Sequence, residues 1–182
     1  LLWAESYAGY YAAQLQFVAR RVRKEYVCLC HGWVPGTLRL MDAPLLETEP
    51  DDGPPRTLIV EAGQGRPALT EVLRVEHLLG PGGVRVSLVH VLLHTGRQHQ
   101  IRAHMSHRGH PLLGDAVYSG TLDSPPWCPR LCLHACRLGI DVGDSFAVAA
   151  VPLPDDLRSA LQLLSPAGPP GRGALGSWGP SS

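Results

Sequence analysis

One stretch, residues 92–118 (LLHTGRQHQIRAHMSHRGHPLLGDAVY), constrains the fold and the function of this chain most strongly. It carries Arg97, Arg102, Arg108 and five of the chain's nine histidines. So many cationic groups in so short a segment are unusual for an ordinary surface helix. We therefore expect an anionic ligand beside this segment.

The same stretch predicts a strand, a turn and a helix in that order. Residues 88–93 form an apolar run typical of a buried strand, and Gly96 interrupts it. Residues 98–108 predict a short helix, which Gly109 ends. The start of a helix presents free backbone N–H groups, so this junction suits an anion.

The predicted helix presents a polar face. Gln98 lies four residues before Arg102 and His99 lies three before it, so the three side chains are expected to share a face. Ile101 and Met105 are expected to point to the core. One guanidinium would then be held on a rigid element.

These residues resemble a known family. Residues 95–104 (TGRQHQIRAH), followed by residues 109–115 (GHPLLGD) and Tyr118, resemble the carboxy-terminal signature of the RluA-type pseudouridine synthases. Lys-Glu-Tyr at residues 24–26 and Arg-Leu-Cys-Leu-His-Ala at residues 130–135 are similar to two further family segments. The resemblance implies an enzyme that isomerises uridine in RNA to pseudouridine, without a cofactor.

The resemblance also implies roles for single residues. Arg102 would pair with the catalytic aspartate and orient it; from the residues alone, a structural pairing with a neighbouring carboxylate is the alternative. Tyr26 would pack against the target uracil and Leu133 would line the base pocket, although core packing accounts for either residue. Asp115 would be structural, because the family's Gly-Asp turn ties this carboxylate to nearby backbone.

Further residues are candidates for contact with the RNA substrate. His99 and His110 are expected to fix the turn around Arg102 by hydrogen bonds. The other candidates, polar or basic, are Gln98, Lys24, Arg97 and Arg108, with Arg20, Arg21 and Arg23 as additional phosphate contacts.

The chain is expected to adopt an α+β fold, the pseudouridine synthase catalytic-domain fold, with a mixed, largely antiparallel sheet flanked by helices. Residues 1–164 would form this domain and residues 165–182 a disordered Gly/Pro/Ser tail. The predicted helices cover residues 6–24, 98–108 and 154–164. The predicted strands cover residues 25–31, 37–41, 57–61, 67–79, 84–93, 130–140 and 146–151, and residues 35–66 are expected to be peripheral.

The family's catalytic aspartate is expected to lie upstream of this chain. RluA-type enzymes carry it in a His-Arg-Leu-Asp-x-x-Thr-Ser-Gly motif, just before a strand that residues 1–4 match. The chain would then lack roughly the amino-terminal third of the domain and be inactive alone. The alternative is a non-catalytic RNA-binding module of the same fold, and a zinc-binding interaction domain is a third hypothesis.

Composition narrows the remaining classes. A length of 182 residues suits one domain, and a formal net charge of zero says little about partners. No apolar run approaches about 20 residues, so no membrane span is expected. The five cysteines lack paired spacing, which predicts no disulfide framework, no structural metal site and a reducing intracellular compartment. The expected partner is rRNA or tRNA, with no obligate protein partner.

Overall fold

The computed structural model describes residues 3–120, 122, 124–143 and 146–168. Runs of strands are separated by single helices along the chain, as expected for an α+β protein. In order they are α1 (Tyr7–Val18), β1 (Arg23–His31), β2 (Leu40–Met41), β3 (Leu45–Thr48), β4 (Arg56–Ile59), β5 (Thr70–Leu79), β6 (Arg85–Leu93), α2 (Gln100–His107), β7 (Leu133–Asp141), β8 (Phe146–Ala150), α3 (Asp155–Gln162) and β9 (Ser165–Pro166).

A seven-stranded sheet organises the molecule. Its strand order is β2-β5-β6-β1-β7-β8, with β9 paired to β5, while β3 and β4 form a separate hairpin. Every strand pair in the described residues is antiparallel. The largely antiparallel sheet is confirmed, and the described strands include no parallel pair that would make it mixed.

The two faces of the sheet are buried by different helices. Val27 and Leu29 lie on the face covered by α3, in a cluster with Leu157 and Leu161. Cys28 and Cys30 lie on the opposite face, in a cluster with α2 residues such as Ile101. The period-two alternation of β1 therefore fixes where α2, the arginine-bearing helix, docks.

The first helix is shorter and more exposed than predicted. It ends at Val18, and Arg20 follows with a φ of 57°, a left-handed conformation that cannot continue a helix. Arg23 and Lys24, predicted in the last helical turn, instead begin β1. No residue of the helix is buried, so Tyr11, Leu15 and Val18, whose spacing of four and three is typical of an amphipathic helix, do not face the core.

Several other boundaries also differ from prediction. The strands near residue 40 and residue 57 are Leu40–Met41 and Arg56–Ile59, and an unpredicted strand, Leu45–Thr48, pairs with the latter. Ser165 and Pro166 pair with Leu79 and Leu78, so the expected tail does not begin at residue 165. Residues 169–182 lie outside the described residues, and so does the prediction that they are disordered.

One disulfide contradicts the prediction from cysteine spacing. Cys128 and Cys132 are bonded, with their Cα atoms 7.1 Å apart, and both are buried in the α3-side cluster. The segment between them turns back on itself, which a spacing of four residues does not reveal. Cys28, Cys30 and Cys136 are free thiols. The reducing compartment remains a prediction.

The chain shows no membrane-spanning helix in the part that the structure describes, since none is both long and apolar enough.

Candidate active site

A paired arginine and aspartate form the centre of the site. Arg102, on α2, donates from Nε to Oδ2 of Asp115 at 2.8 Å and from Nη2 to Oδ1 at 2.7 Å. The Asp115 side chain is fully buried and that of Arg102 is 13% exposed. Two parallel hydrogen bonds between charged groups fix the guanidinium plane as well as its position.

The Asp115 carboxylate accepts four hydrogen bonds, two from Arg102 and two from backbone N–H groups. Its Oδ1 also accepts hydrogen bonds from the backbone N–H groups of Val117 and Tyr118, each at 3.1 Å. Burial favours the neutral acid, but Arg102 and these N–H groups outweigh it and hold the pKa of the Asp115 carboxyl below its usual range. This carboxylate therefore stabilises the turn and is poorly placed to attack a substrate.

One terminal nitrogen of the Arg102 guanidinium has no hydrogen-bond partner among the described residues. Nη1 donates no hydrogen bond to any described residue, while the guanidinium carbon lies 4.8 Å from the centre of the Tyr118 ring. The hydrogen bonds to Asp115 raise the arginine's pKa, so the group stays charged. A second carboxylate could bind at Nη1 without displacing Asp115.

The turn before α2 differs from the predicted helix. His99 has a φ of 51°, so the helix begins at Gln100, and Gln98 and His99 precede it instead of sharing a helical face with Arg102. His99 Nδ1 lies 3.2 Å from the Tyr118 hydroxyl, and burial lowers the pKa of its imidazole. His99 thus contacts the tyrosine on which Arg102 rests.

A buried glutamine, missed by the sequence analysis, holds this turn. Gln100 Oε1 accepts hydrogen bonds from the Thr95 hydroxyl and the Arg97 backbone N–H. Its Nε2 donates to the Leu69 carbonyl and the Thr70 hydroxyl. The Gln-His-Gln pattern showed polar residues here, but nothing in the sequence indicated that Gln100 would be the buried one.

The hairpin of β3 and β4 reaches the site and is not peripheral as predicted. The Thr57 hydroxyl donates to the Gln98 carbonyl at 2.8 Å, and the Thr57 N–H donates to the Tyr118 hydroxyl at 2.7 Å. Thr57 is 1% exposed, so both bonds are shielded from water. The segment over residues 35–66 is rich in Pro, Gly and acidic residues. This composition is typical of peripheral loops, so it gave no indication of the contact.

Two predicted pocket residues lie on the α2 side of the sheet. Tyr26 on β1 and Leu133 on β7 both pack, partly buried, against the cluster that includes Ile101. Leu133 pairs with Cys28, two residues from Tyr26 on the same face. The structure therefore places the two apolar side chains close to the helix that carries Arg102.

Comparisons with known proteins identify the family. Residues 1–107 match the family model described as RNA pseudouridylate synthase. The chain belongs to the RNA pseudouridylate synthase family. Among its relatives, a Bos taurus protein named RNA pseudouridylate synthase domain-containing protein 1 is 35% identical over 142 residues, 76% of this chain and 46% of the relative.

Bacterial members of the pseudouridylate synthase family show the subgroup. Ribosomal large subunit pseudouridine synthase D of Nitrosomonas europaea is 34% identical over 161 residues, which cover 84% of this chain and 43% of that protein. These bacterial relatives confirm the resemblance to RluA-type enzymes. The chain spans less than half the length of the Bos taurus relative and of the Nitrosomonas europaea relative.

A solved pseudouridylate synthase structure confirms the fold. The human protein RNA Pseudouridylate Synthase Domain Containing 1 is 32% identical, with a TM-score of 0.73 over 90% of this chain and 67% of that chain.

The basic residues predicted to contact RNA are spread around the candidate site. A Cβ atom on Gly96 would lie 3.3 Å from Nζ of Lys24, so this ammonium lies at the turn before α2. Burial, and then the charge of Arg20, lower the pKa of Lys24. Arg97 lies in the same turn and donates from Nε to the Pro67 carbonyl at 3.3 Å.

Two predicted residues lie at the far end of α2. Arg108 is exposed and follows the last helical residue, about 12 Å along the axis from the first. His110 Nδ1 lies 3.1 Å from the His31 carbonyl. His110 therefore holds another part of the chain, and the prediction that it fixes the turn around Arg102 is wrong.

A charged cluster on the opposite face was also missed. Glu25, buried on β1 next to Tyr26, binds Arg23 and lies 3.0 Å from His90 Nε2. Burial opposes ionisation of Glu25, but Arg23, His90 and Arg137 together lower the pKa of this carboxyl. Strand alternation alone suggested only that this position faces away from Tyr26.

Metal binding has no structural support in the described residues, which contain no group of three or more His, Cys, Asp or Glu side chains able to hold an ion.

Proposed function

We propose that this protein acts as an RNA pseudouridine synthase and converts uridine in RNA to pseudouridine. The observation that carries the proposal is the Arg102 fork, which Asp115 fixes on one edge and leaves free at Nη1. A planar guanidinium in this state can hold a second carboxylate in a set orientation, which a lysine could not do.

The chemistry fits a site of this kind. The bond between N1 of uracil and C1′ of ribose breaks, and a bond between C5 and C1′ forms. C5 loses its proton and N1 gains one, so the product is an isomer and no electrons are exchanged. The reaction needs a carboxylate, a cation to orient it and a shielded slot for the uracil.

The carboxylate would be an aspartate other than Asp115. Asp115 already accepts hydrogen bonds from Arg102 and from two backbone N–H groups. We infer that the family's catalytic aspartate occupies the free Nη1 position of Arg102, and that Tyr26 and Leu133 shield the uracil.

The substrate would be a structured RNA whose target base is flipped out of its stack. A base inside a helix cannot reach an enclosed site, so extrusion must precede the reaction. Lys24, Arg97 and Arg108 would hold the flanking phosphates, which supply affinity without reading sequence. We favour ribosomal RNA over tRNA because several relatives are named as ribosomal large subunit enzymes.

Tritium release tests the proposal directly. Forming the bond at C5 expels the C5 hydrogen, so the full-length protein should release tritium from RNA that contains [5-³H]uridine. Arg102→Lys should retain most of the RNA affinity and lose turnover by about two orders of magnitude or more, because it loses the two-point orientation.

Two other outcomes would contradict the proposal. RNA binding without tritium release by the wild-type protein would leave a non-catalytic RNA-binding module. An equal loss of affinity and of rate in Arg102→Lys would make Arg102 a phosphate contact.

A further inference from the structure

An open cavity of about 410 Å³ lies beside the turn that precedes α2. Its walls are β3, residues 64–66 and Gln98. This volume is within the range of small-molecule sites in proteins. Since Gln98 lies two residues before the helix that carries Arg102, the cavity borders the candidate active site.

The walls of this cavity, which we call the hairpin cavity, are held by backbone contacts. Leu45 and Arg66 exchange two backbone hydrogen bonds, at 3.0 and 2.8 Å. A Cβ atom on Gly65 would lie 2.7 Å from the Leu45 carbonyl oxygen, so the segments are in close contact there. Thr57 ties the hairpin to the Gln98 carbonyl. The cavity is therefore shaped before any ligand binds.

The polar side chains that line the hairpin cavity are all exposed to solvent and have no partners among the described residues, so they can bind a ligand at the surface. Two are carboxylates, two are carboxamides and one is a guanidinium, so they can both accept and donate hydrogen bonds. They belong to Glu47, Glu49, Gln64, Arg66 and Gln98.

These groups fit a nucleobase better than a phosphate. Glu47 and Glu49 would repel the phosphate backbone, but carboxylates accept hydrogen bonds from the amino groups of bases. Unstacked bases in RNA loops are commonly bound through their exposed edges. Guanine offers two adjacent donors, N1–H and the 2-amino group, which one carboxylate can bind together, and its O6 and N7 accept from arginine.

A basic peptide is the competing occupant. The two glutamates would attract it, but Arg66 in the same wall would oppose it, and the carboxamides would add little. A guanine base can instead donate to a carboxylate and accept from Arg66.

We propose that the hairpin cavity binds the base of a nucleotide next to the target uridine and that it selects guanine. The proposal rests on the proposed RNA-modifying function and adds a sequence preference that the family match does not supply.

The test measures binding of the chain to RNA stem-loops by fluorescence anisotropy. The loops place each of the four bases in turn on either side of one uridine. At one of the two positions, guanine should bind about tenfold more tightly than the other bases, as one good two-point contact allows. Inosine there, which lacks the 2-amino group, should lose most of this advantage.

Matched variants assign the preference to the hairpin cavity. Glu47→Gln with Glu49→Gln should abolish the difference between guanine and inosine while preserving RNA binding. Asp51→Asn with Asp52→Asn removes two charges from the exposed tip of the same hairpin, outside the cavity, and should keep the preference.

Equal affinity for all four bases, or an equal change in both double variants, would overturn the proposal. RNA binding with no preference would leave the proposed function intact, whereas no RNA binding would remove both. An arginine-rich peptide that binds the wild type but not the glutamate variant, with no base preference, would identify a peptide site and overturn the proposal.

Discussion

Arg102 has a structural role and a proposed catalytic role. It neutralises Asp115, whose side chain is fully buried, and its Nη1 donates no hydrogen bond to any described residue. Removing a buried ionic partner leaves an uncompensated charge, which is costly whether or not the protein is an enzyme. Stability and activity must therefore be measured together at this position.

Arg102→Met should lower the free energy of unfolding by about 3 to 5 kcal/mol, because Asp115 loses its cation. Adding Asp115→Asn should restore a large part of this loss, since the neutral amide can still accept from Val117 and Tyr118. Urea unfolding followed by circular dichroism measures both variants. If the double variant is as unstable as the sum of the two single variants, the side chains are not coupled.

The acid stability of the protein should depend on Asp115. Its folded-state pKa lies below the unfolded value, so it contributes stability at neutral pH that is lost as the pH falls through the folded value. The free energy of unfolding should fall as the pH drops below the ordinary pKa of an aspartate, about 4, and it should fall less in Asp115→Asn. Parallel pH curves for the two proteins would show that the carboxylate is not stabilised by folding.

Residue identities predicted part of this site. The Gly-Asp turn indicated a structural Asp115, and two backbone N–H groups do bind it. The pairing of Asp115 with Arg102 was open from sequence alone, because the two lie 13 positions apart and the chain between them leaves α2 for an irregular segment. His99 contacts the site and His110 does not, although both are histidines in the same stretch.

The Gly114 turn is the element that positions Asp115. Gly114 has a φ of 74°, and a Cβ atom there would lie 1.9 Å from the Arg130 carbonyl oxygen. The turn therefore packs directly on the backbone that leads into β7, the strand that carries Leu133. Both the conformation and the close approach require glycine.

Gly114→Ala should destabilise the protein by several kcal/mol, because the new Cβ would strain the backbone at positive φ and would also clash with main-chain atoms. Gly109→Ala is the matched control: its φ is 79°, and nothing lies within 4 Å of its Cβ position. It should cost only about 1 kcal/mol, from strain alone. Thermal unfolding measures both, and equal shifts would show that the contact with Arg130 does not constrain the turn.

Elements were predicted well where their periodicity was strong. Residues 67–79 form a β-rich run and residues 84–93 show alternation, and the structure pairs Thr70–Leu79 with Arg85–Leu93. The hairpin of β3 and β4 lacks such a pattern, because its strands are four residues each and mostly exposed. Its contact with the active site depends on Thr57, which no local pattern distinguishes from other threonines.

At the scale of the whole molecule, the family signature predicted the fold more reliably than helical periodicity did. The apolar spacing that predicted an amphipathic first helix leaves Tyr11, Leu15 and Val18 exposed by 58%, 66% and 75%. Periodicity shows that a face is apolar but does not identify what covers it. The disulfide between Cys128 and Cys132 likewise depends on how the chain folds back.

In the proposed active site, Nη1 of Arg102 binds a catalytic aspartate other than Asp115. The most direct test is the sequence of the transcript upstream of the codon for Leu1. We expect an in-frame Arg-Leu-Asp motif there, upstream of Leu1 and in the same reading frame. An initiation codon with no such aspartate would contradict the account, because Arg102 would then have no carboxylate to orient.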